Sequence, residues 1–329
     1  MPYSRRWAVL IRSTVLVVAG VLVLAGCGAG DSGAPVRGAA ADAAFPVTVV
    51  HGQGEAVVPA APRRVVVLGA GDAQIASALG APVVGAVRNP ASPDGSWRGV
   101  DPPLPAAVST LDSLEPDLEA VAALRPDLIL MTTAQPTFAA AYPRIAAIAP
   151  TVSYRTALLQ DPGEDLTRMI GAALGRPEAA AELIARSDAQ LARFRAELPA
   201  GRSYVFGQYV GGTAYLVTAA DGPSVRFFDR IGLRLPLAVA ALPPWQAGIS
   251  QLPDEQLGLL DAADVALVGV PTGADGAALT ARPLVARGPL VREGRLHLVS
   301  TDVAALLLTP NPASTPALIE TLRPLLEAS

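Results

Sequence analysis

The fold is decided by one stretch, which reads Glu115-Pro-Asp-Leu-Glu-Ala-Val-Ala-Ala-Leu-Arg-Pro-Asp-Leu-Ile-Leu130. Residues 118–124 have the pattern of a short helix, and Pro126 stops it because proline cannot continue a helix. Residues 128–131 form a continuous apolar run, which is typical of a strand buried on both faces. A helix that leads into a buried strand is half of a βαβ unit, so the stretch predicts an α/β fold.

The same alternation continues in both directions along the chain. The turn Gly69-Ala-Gly-Asp72 leads into a predicted helix at 73–79, for which Asp72 suits the N-cap. Residues 89–105 are dense in Pro, Gly, Ser and Asp, which indicates a long loop. Strands are predicted at 47–50, 56–58, 64–68, 83–87, 128–131, 151–154, 204–206, 215–217, 265–270 and 296–299. Further helices are predicted at 142–148, 225–231 and 312–326.

A long helical pattern lies between the two α/β sets. Residues 161–198 are helical in pattern with one break at 175–177, and Pro177 suits the first position of the second helix. That helix would be about 33 Å long, enough to cross a small domain. We therefore expect two Rossmann-like α/β lobes, at 45–160 and 201–329, joined through 161–200, which includes one long backbone helix.

The first 26 residues have the layout of a secretory signal. Arg5, Arg6 and Arg12 precede an apolar run at 13–24, which is shorter than the ~20 residues that span a bilayer. Leu24-Ala-Gly-Cys27 resembles a bacterial lipobox, in which the cysteine receives a diacylglyceryl group and becomes the new N-terminus. We expect Cys27, the only cysteine, to anchor the protein to the outer face of the cell membrane through fatty acyl chains such as palmitate. Residues 27–44 then form a flexible tether.

Composition excludes several classes of function. The net charge is −4 without a block of like charge, which argues against nucleic acid as a partner. The sequence has no Gly-x-Ser-x-Gly motif and no thiol besides Cys27, so we expect no catalysis. Only two histidines occur, His51 and His297, too few to indicate a zinc or manganese receptor. We expect a monomer without a resident metal or cofactor.

Six phrases, in this order, carry a resemblance to a known family. They are Ala61-Pro-Arg-Arg-Val-Val-Val-Leu68 followed by Ala78-Leu-Gly-Ala81, the stretch Glu115 to Leu130 quoted above, Ile145-Ala-Ala-Ile-Ala-Pro-Thr-Val152, Phe228-Asp-Arg-Ile-Gly-Leu233, Leu259-Leu-Asp-Ala-Ala-Asp-Val-Ala-Leu-Val268 and Arg292-Glu-Gly-Arg-Leu-His-Leu-Val299. Behind a lipobox, the chain resembles the class III, or helical-backbone, periplasmic binding proteins of iron–siderophore ABC importers.

The resemblance implies two lobes on a rigid helix and a ligand cleft between them. It also implies that the ligand is a ferric siderophore and that an ABC transporter permease is the partner. Members commonly dock on the permease through one acidic residue from each lobe. Asp229 is the candidate in the second lobe, although it could be an ordinary surface charge, and residues 134–149 supply no acid in the first.

The candidate ligand contacts in the first lobe follow the predicted strands, because ligands of open α/β sheets lie beyond the carboxyl ends of the strands. Gly71 and Asp72 follow one strand, and Arg88, Trp97 and Arg98 follow the next. Arginine pairs with oxyanions and tryptophan offers flat apolar area. The structural alternatives are a tight turn at Gly71 and Asp72, a surface ion pair for Arg88 and local loop packing for Trp97.

In the second lobe the candidate contacts are Tyr209, at a strand end, and Trp245, in a proline-rich loop. Family members often place an Arg or an aromatic residue at these positions, although both could instead pack between the lobes.

Departures from the family pattern leave the identity of the ligand open. Some hydroxamate-binding members carry an Arg just before Glu115 and a Tyr after the third strand, where this chain has Asp112-Ser-Leu114 and Thr132-Thr-Ala-Gln135. A haem or corrinoid ligand stays possible, since haem needs only one or two axial ligands. A lipoprotein that binds a protein partner is a further alternative.

Overall fold

The computed structural model describes residues 45–327. The predicted signal 1–26, Cys27 and the tether 27–44 lie outside the described residues. Within the described part, no helix is both long and apolar enough to cross a membrane.

The first lobe opens with a hairpin and continues as a parallel sheet covered by helices. Its strands are β1 (Val47–His51), β2 (Gly54–Val58), β3 (Val65–Val67), β4 (Val83–Val87), β5 (Ser109–Leu111), β6 (Leu128–Met131) and β7 (Thr151–Ser153). Its helices are α1 (Ala70–Ala78), α2 (Leu118–Ala123), α3 (Pro136–Ala140) and α4 (Tyr142–Ala146). The five strands after the hairpin pair in the order β5-β4-β3-β6-β7, all parallel.

The central strand β3 shows why this sheet forms. Its three residues are fully buried, and successive side chains point to opposite faces. Val65 and Val67 join the core on one face, whereas Val66 joins the core on the other. Because helices cover both faces, an uninterrupted apolar run is stable here.

Two helices connect the lobes, α5 (Gly163–Ala173) and α6 (Pro177–Glu197). They are separated at the predicted break, and α6 begins at Pro177 as predicted. With 21 residues, α6 is the long backbone helix. It buries Ala180 and Leu183 against the first lobe and Leu191 and Phe194 against the second.

The second lobe is built on a mixed sheet. Its strands are β8 (Tyr204–Val210), β9 (Thr213–Val217), β10 (Ile249–Leu252), β11 (Val265–Val270) and β12 (Leu296–Ser300). The order is β10-β9-β8-β11-β12, in which β8, β11 and β12 are parallel and β9 is antiparallel to both of its neighbours. The helices are α7 (Pro223–Arg230), α8 (Leu237–Ala240), α9 (Gly273–Thr280), α10 (Pro283–Ala286), α11 (Pro289–Arg292), α12 (Thr301–Leu308) and α13 (Thr315–Glu327), with a 3-10 segment at Asp254–Ala262.

Several elements were not predicted. In the first lobe they are β5 and α3, and in the second they are β10, the 3-10 segment and the helices α8, α9, α10, α11 and α12. The predicted long loop at 89–105 is confirmed, but the chain after it returns to pair with β4 as β5. The helix predicted at 73–79 begins earlier, at Ala70. The N-cap assignment for Asp72 was therefore wrong, because Gly69 holds that position and Asp72 lies inside the first turn.

Candidate functional site

The carboxyl ends of β3 and β6 are joined through one buried carboxylate. Asp72 accepts hydrogen bonds at Oδ1 from the Thr132 amide at 3.0 Å and the Thr132 hydroxyl at 2.5 Å. At Oδ2 it accepts from the amide and hydroxyl of Thr133 at 3.3 and 3.4 Å. Burial raises the pKa of the Asp72 carboxyl, and these hydrogen bonds oppose the shift.

The same carboxylate is unavailable to a ligand. Asp72 is 0 % exposed, and Gly71 beside it is also buried. The structure therefore does not support direct ligand contact through either predicted residue. Their role is to set the position of the turn at the end of β3.

The loop after β4 brings Arg88 and Trp97 together. Both line a cavity of about 500 Å³ between this loop and the edge of the sheet, and Asp94 lines it as well. The half-buried Trp97 donates from Nε1 to the carbonyl oxygen of Val87 at 2.8 Å. Arg88 is exposed. These two predicted residues thus share one wall of a cavity.

The loop also reaches the second lobe through Asp302, in the first turn of α12. Asp302 Oδ1 accepts from Asn89 Nδ2 at 2.7 Å, and Oδ2 accepts from Arg98 Nε at 3.1 Å. Since Asn89 follows β4 and Asp302 follows β12, the carboxyl edges of the two sheets meet here. We call Asn89, Arg98 and Asp302 the interlobe triad.

A second pair of side chains joins the lobes beside the triad. Asn311 Nδ2 donates to Gln74 Oε1 at 2.6 Å, and Gln74 Nε2 donates to the carbonyl oxygen of Arg98 at 2.7 Å. Both residues are buried. These contacts hold the loop after β4 against α1 and against the second lobe.

Tyr209 lies at the end of β8, as predicted, but its side chain is buried. It is 0 % exposed and belongs to the core between the second sheet and the helices that follow β10 and β11. Its hydroxyl accepts from Arg282 Nε at 3.1 Å, and Arg282 forms a salt bridge with Asp254 at 2.7 Å. The prediction of a ligand contact through Tyr209 was therefore wrong, because β8 turns this side chain into the core.

Trp245 is 56 % exposed, and its ring centroid lies 5.3 Å from that of Tyr215. Its amide donates to the carbonyl oxygen of Ile249 at 2.8 Å, which places its backbone beside the start of β10. The ring reaches toward β9, where Tyr215 pairs with Gln208. The structure does not bring Trp245 into contact with the interlobe triad through any interaction of the described residues.

Two exposed apolar side chains at strand ends escaped the sequence analysis. Leu114 follows β5 and is 60 % exposed, and Val210 ends β8 and is 40 % exposed. Asn89 and Asp302 were missed as well. The rule that ligands lie beyond the carboxyl ends of strands indicates Asn89, Val210 and Asp302, which follow or end predicted strands. It does not indicate Leu114, because β5 was not predicted.

Asp229 lies near the end of α7 and is exposed. It lines a cavity of about 640 Å³ together with Arg195 and Arg234. Partial burial raises the pKa of the Asp229 carboxyl, and Arg234 opposes that shift. Its predicted contact with a permease stays a prediction.

The described residues offer no group of three or more His, Cys, Asp or Glu side chains that could hold a metal ion. His51 is instead packed against Tyr142, with ring centroids 5.4 Å apart.

A model of the periplasmic binding protein family matches residues 65–301. This match spans most of both sheets and all of α6. The chain belongs to the periplasmic binding protein family. No curated protein matches it.

Solved structures agree with this assignment. This binding protein is similar to a periplasmic solute binding protein from Mycobacterium smegmatis, with 25% identity and a TM-score of 0.69 over 85% of this chain and 97% of the other. It is similar in fold to Streptococcus pneumoniae PiaA in complex with ferrichrome, with 20% identity and a TM-score of 0.71 over 86% and 98%. Staphylococcus aureus SirA complexed with staphyloferrin B matches with 20% identity and a TM-score of 0.70 over 85% and 98%.

Proposed function

We propose that this binding protein captures a ferric siderophore outside the membrane and delivers it to the permease of an ABC importer. The observation that carries the proposal is the meeting of the two carboxyl sheet edges at the interlobe triad. Ligands of open α/β sheets lie beyond such edges. Complexes of similar folds with ferrichrome and with staphyloferrin B support a ferric chelate as the ligand.

Four of the predicted residues stay candidates for ligand contact. Arg88 and Trp97 share a cavity wall, Arg98 belongs to the interlobe triad, and Trp245 is exposed in the second lobe. Binding would occur in a largely preformed cleft, because α6 and the contacts between the lobes restrict closure. The protein would hold and release its ligand without chemistry.

The remaining parts of the proposal concern location and docking. Cys27 would carry the lipid anchor, and residues 27–44 would give the receptor reach toward its permease. The lobes would be bounded as predicted, at 45–160 and 201–329. Asp229 would contribute one docking charge.

Tryptophan fluorescence tests the function directly. Trp97 and Trp245 are the only tryptophans outside the predicted signal, so saturable quenching reports binding near one of them. Trp97→Phe and Trp245→Phe assign the signal to one side chain. We expect quenching by a ferric siderophore and none by haem or cobalamin. Quenching by haem or cobalamin alone would identify that compound, and not a siderophore, as the ligand. The absence of any quenching would favour a protein partner.

A further inference from the structure

Three arginines at the carboxyl edges of the sheets are paired with carboxylates. Arg98 pairs with Asp302 at 3.1 Å and Arg282, beside the β8–β9 turn, pairs with Asp254 at 2.7 Å. Arg155, which follows β7, pairs with Asp165 at 2.6 Å.

Arg88 is the remaining arginine at the end of a first-lobe strand, and no salt bridge of the described residues involves it. It lines its cavity together with Asp94, whose hydrogen bonds from Ser92 and Ser96 lower the carboxyl pKa to about 2. Backbone amides of Leu114 and Glu115 lower the pKa of Asp112, and Arg88 lowers it further. Both carboxylates near Arg88 are therefore ionised at neutral pH.

Among these carboxylates, Asp302 is the one that joins the two lobes. It belongs to the second lobe, yet its side chain accepts hydrogen bonds from two first-lobe residues, and it is only 19% exposed. It lies in the first turn of α12, and a helix N-terminus attracts negative charge. An anionic ligand would have to displace this carboxylate from Arg98 and would be repelled by it.

Ferric chelates differ in the charge that such a site must accept. Three hydroxamate groups carry three negative charges in total and neutralise Fe(III), whereas three catecholates carry six and leave the chelate with three negative charges. The exposed side chains of Leu114 and Val210 at strand ends offer apolar area to an uncharged chelate.

Resting on the proposed function, we propose that Asp302 neutralises Arg98 across the lobes and thereby selects an uncharged ferric trihydroxamate over anionic chelates. Specificity of this kind comes from a repulsive element as much as from an attractive one. The chelate would then be held without the Arg and Tyr that some hydroxamate-binding relatives carry, because this chain has Asp112-Ser-Leu114 and Thr132-Thr-Ala-Gln135 there.

The test compares two ferric chelates, an uncharged trihydroxamate and a triply anionic tris-catecholate, by quenching of tryptophan fluorescence. We expect the wild-type protein to bind the anionic chelate at least about tenfold more weakly, which corresponds to about 1.4 kcal/mol. Affinity for the uncharged chelate should change little with ionic strength, since salt screens interactions between charges.

Asp302→Asn is the decisive variant, because it keeps the shape of the side chain and removes its charge. It should shift the ratio of the two affinities by about tenfold in favour of the anionic chelate. Glu197→Gln is the matched control, since it also removes one negative charge that pairs with an arginine, Arg323, but at the last residue of α6. Glu197→Gln should leave the ratio of the two affinities unchanged.

Several outcomes would overturn this inference. If the wild-type protein binds the anionic chelate as tightly as the uncharged one, the inference is wrong, whereas the proposed siderophore function stands. An equal effect of Asp302→Asn and Glu197→Gln would remove the role of Asp302. If Asp302→Asn does not fold, the inference is still tested by the preference of the wild-type protein for the uncharged chelate and by the salt dependence of the two affinities. Binding of neither chelate would contradict the inference, and the proposed function would fall with it only if no other ferric siderophore quenched the fluorescence.

Discussion

Thr133 stands where the ends of β3 and β6 come together, and its side chain contacts both glycines of the Gly69-Ala-Gly-Asp72 turn. A Cβ added at Gly71 would lie 2.9 Å from Thr133 Cγ2. A Cβ at Gly69 would lie 2.4 Å from Thr133 Oγ1 and 2.6 Å from the Thr133 backbone carbonyl carbon. Glycine is needed here because two backbone segments approach closely.

Gly69→Ala should therefore destabilise the protein by about 2 kcal/mol, because the backbone of Thr133 cannot yield as a flexible side chain would. Urea-induced unfolding measures the loss. Gly258→Ala is the control, since no atom lies within 4 Å of a Cβ there, and it should change the free energy of unfolding by less than about 0.5 kcal/mol. Equal effects of the two variants would contradict this interpretation of the turn.

At the scale of the element, the β1–β2 hairpin is attached to the first lobe by a few specific contacts. The Gly52 amide donates to the carbonyl oxygen of Tyr154 at 2.7 Å, and His51 packs edge-on against Tyr142. The Gln53 amide donates to Nδ1 of His51 at 3.2 Å, which requires that nitrogen to be unprotonated. The neutral form of His51 thus belongs to the docked hairpin.

The free energy of unfolding should decrease as the pH falls through 6.5, the ordinary pKa of histidine. Burial lowers the pKa of His51 below 6.5, and burial also lowers that of His297. The unfolded chain then binds more protons than the folded one at pH values below 6.5, so acidification favours unfolding. Urea-induced unfolding at about pH 8 and about pH 5.5 measures the difference.

His51→Gln should remove part of this pH dependence, with the remainder due to His297. Val50→Thr, at the exposed neighbouring position, is the control and should keep the wild-type dependence. A wild-type protein whose stability is the same at both pH values would contradict the assignment of a buried neutral His51.

At the scale of the whole molecule, the two lobes are connected both through the chain and through side chains. The backbone helix α6 packs on both cores, and the interlobe triad and the Gln74–Asn311 pair join the lobes elsewhere. Connections at several places restrict hinge motion, in contrast to binding proteins with flexible crossovers. Ligand selection then depends on side chains at the sheet edges more than on closure.

Because both lobes have their own cores, receptor and anchor should be separable. Cys27→Ser should release a folded protein that binds its ligand with wild-type affinity, and it should abolish uptake in cells. Membrane fractionation and the fluorescence titration measure the two properties. Loss of binding together with loss of the anchor would contradict the division between tether and receptor.

Much of the fold could be predicted from local pattern, because strands such as β4 and β6 are short apolar runs and α6 begins at a proline. The two strands that were missed, β5 and β10, lack such an apolar run. The segment that forms β10 reads Ile249-Ser-Gln-Leu252, and it becomes a strand because β9 offers it an edge for pairing. β5 is likewise completed by pairing with β4.

The sequence alone determined that this chain is an α/β protein with two lobes and one long connecting helix, because these properties depend on the periodicity of apolar residues. It could not decide which side chain of a strand points to which face when both faces are covered, and so it placed the buried Tyr209 in the cleft. It also could not show that Asp302 meets Arg98 from 204 positions away. Only the tertiary structure decided these pairings, because charges that cancel across two lobes leave no pattern in the local sequence.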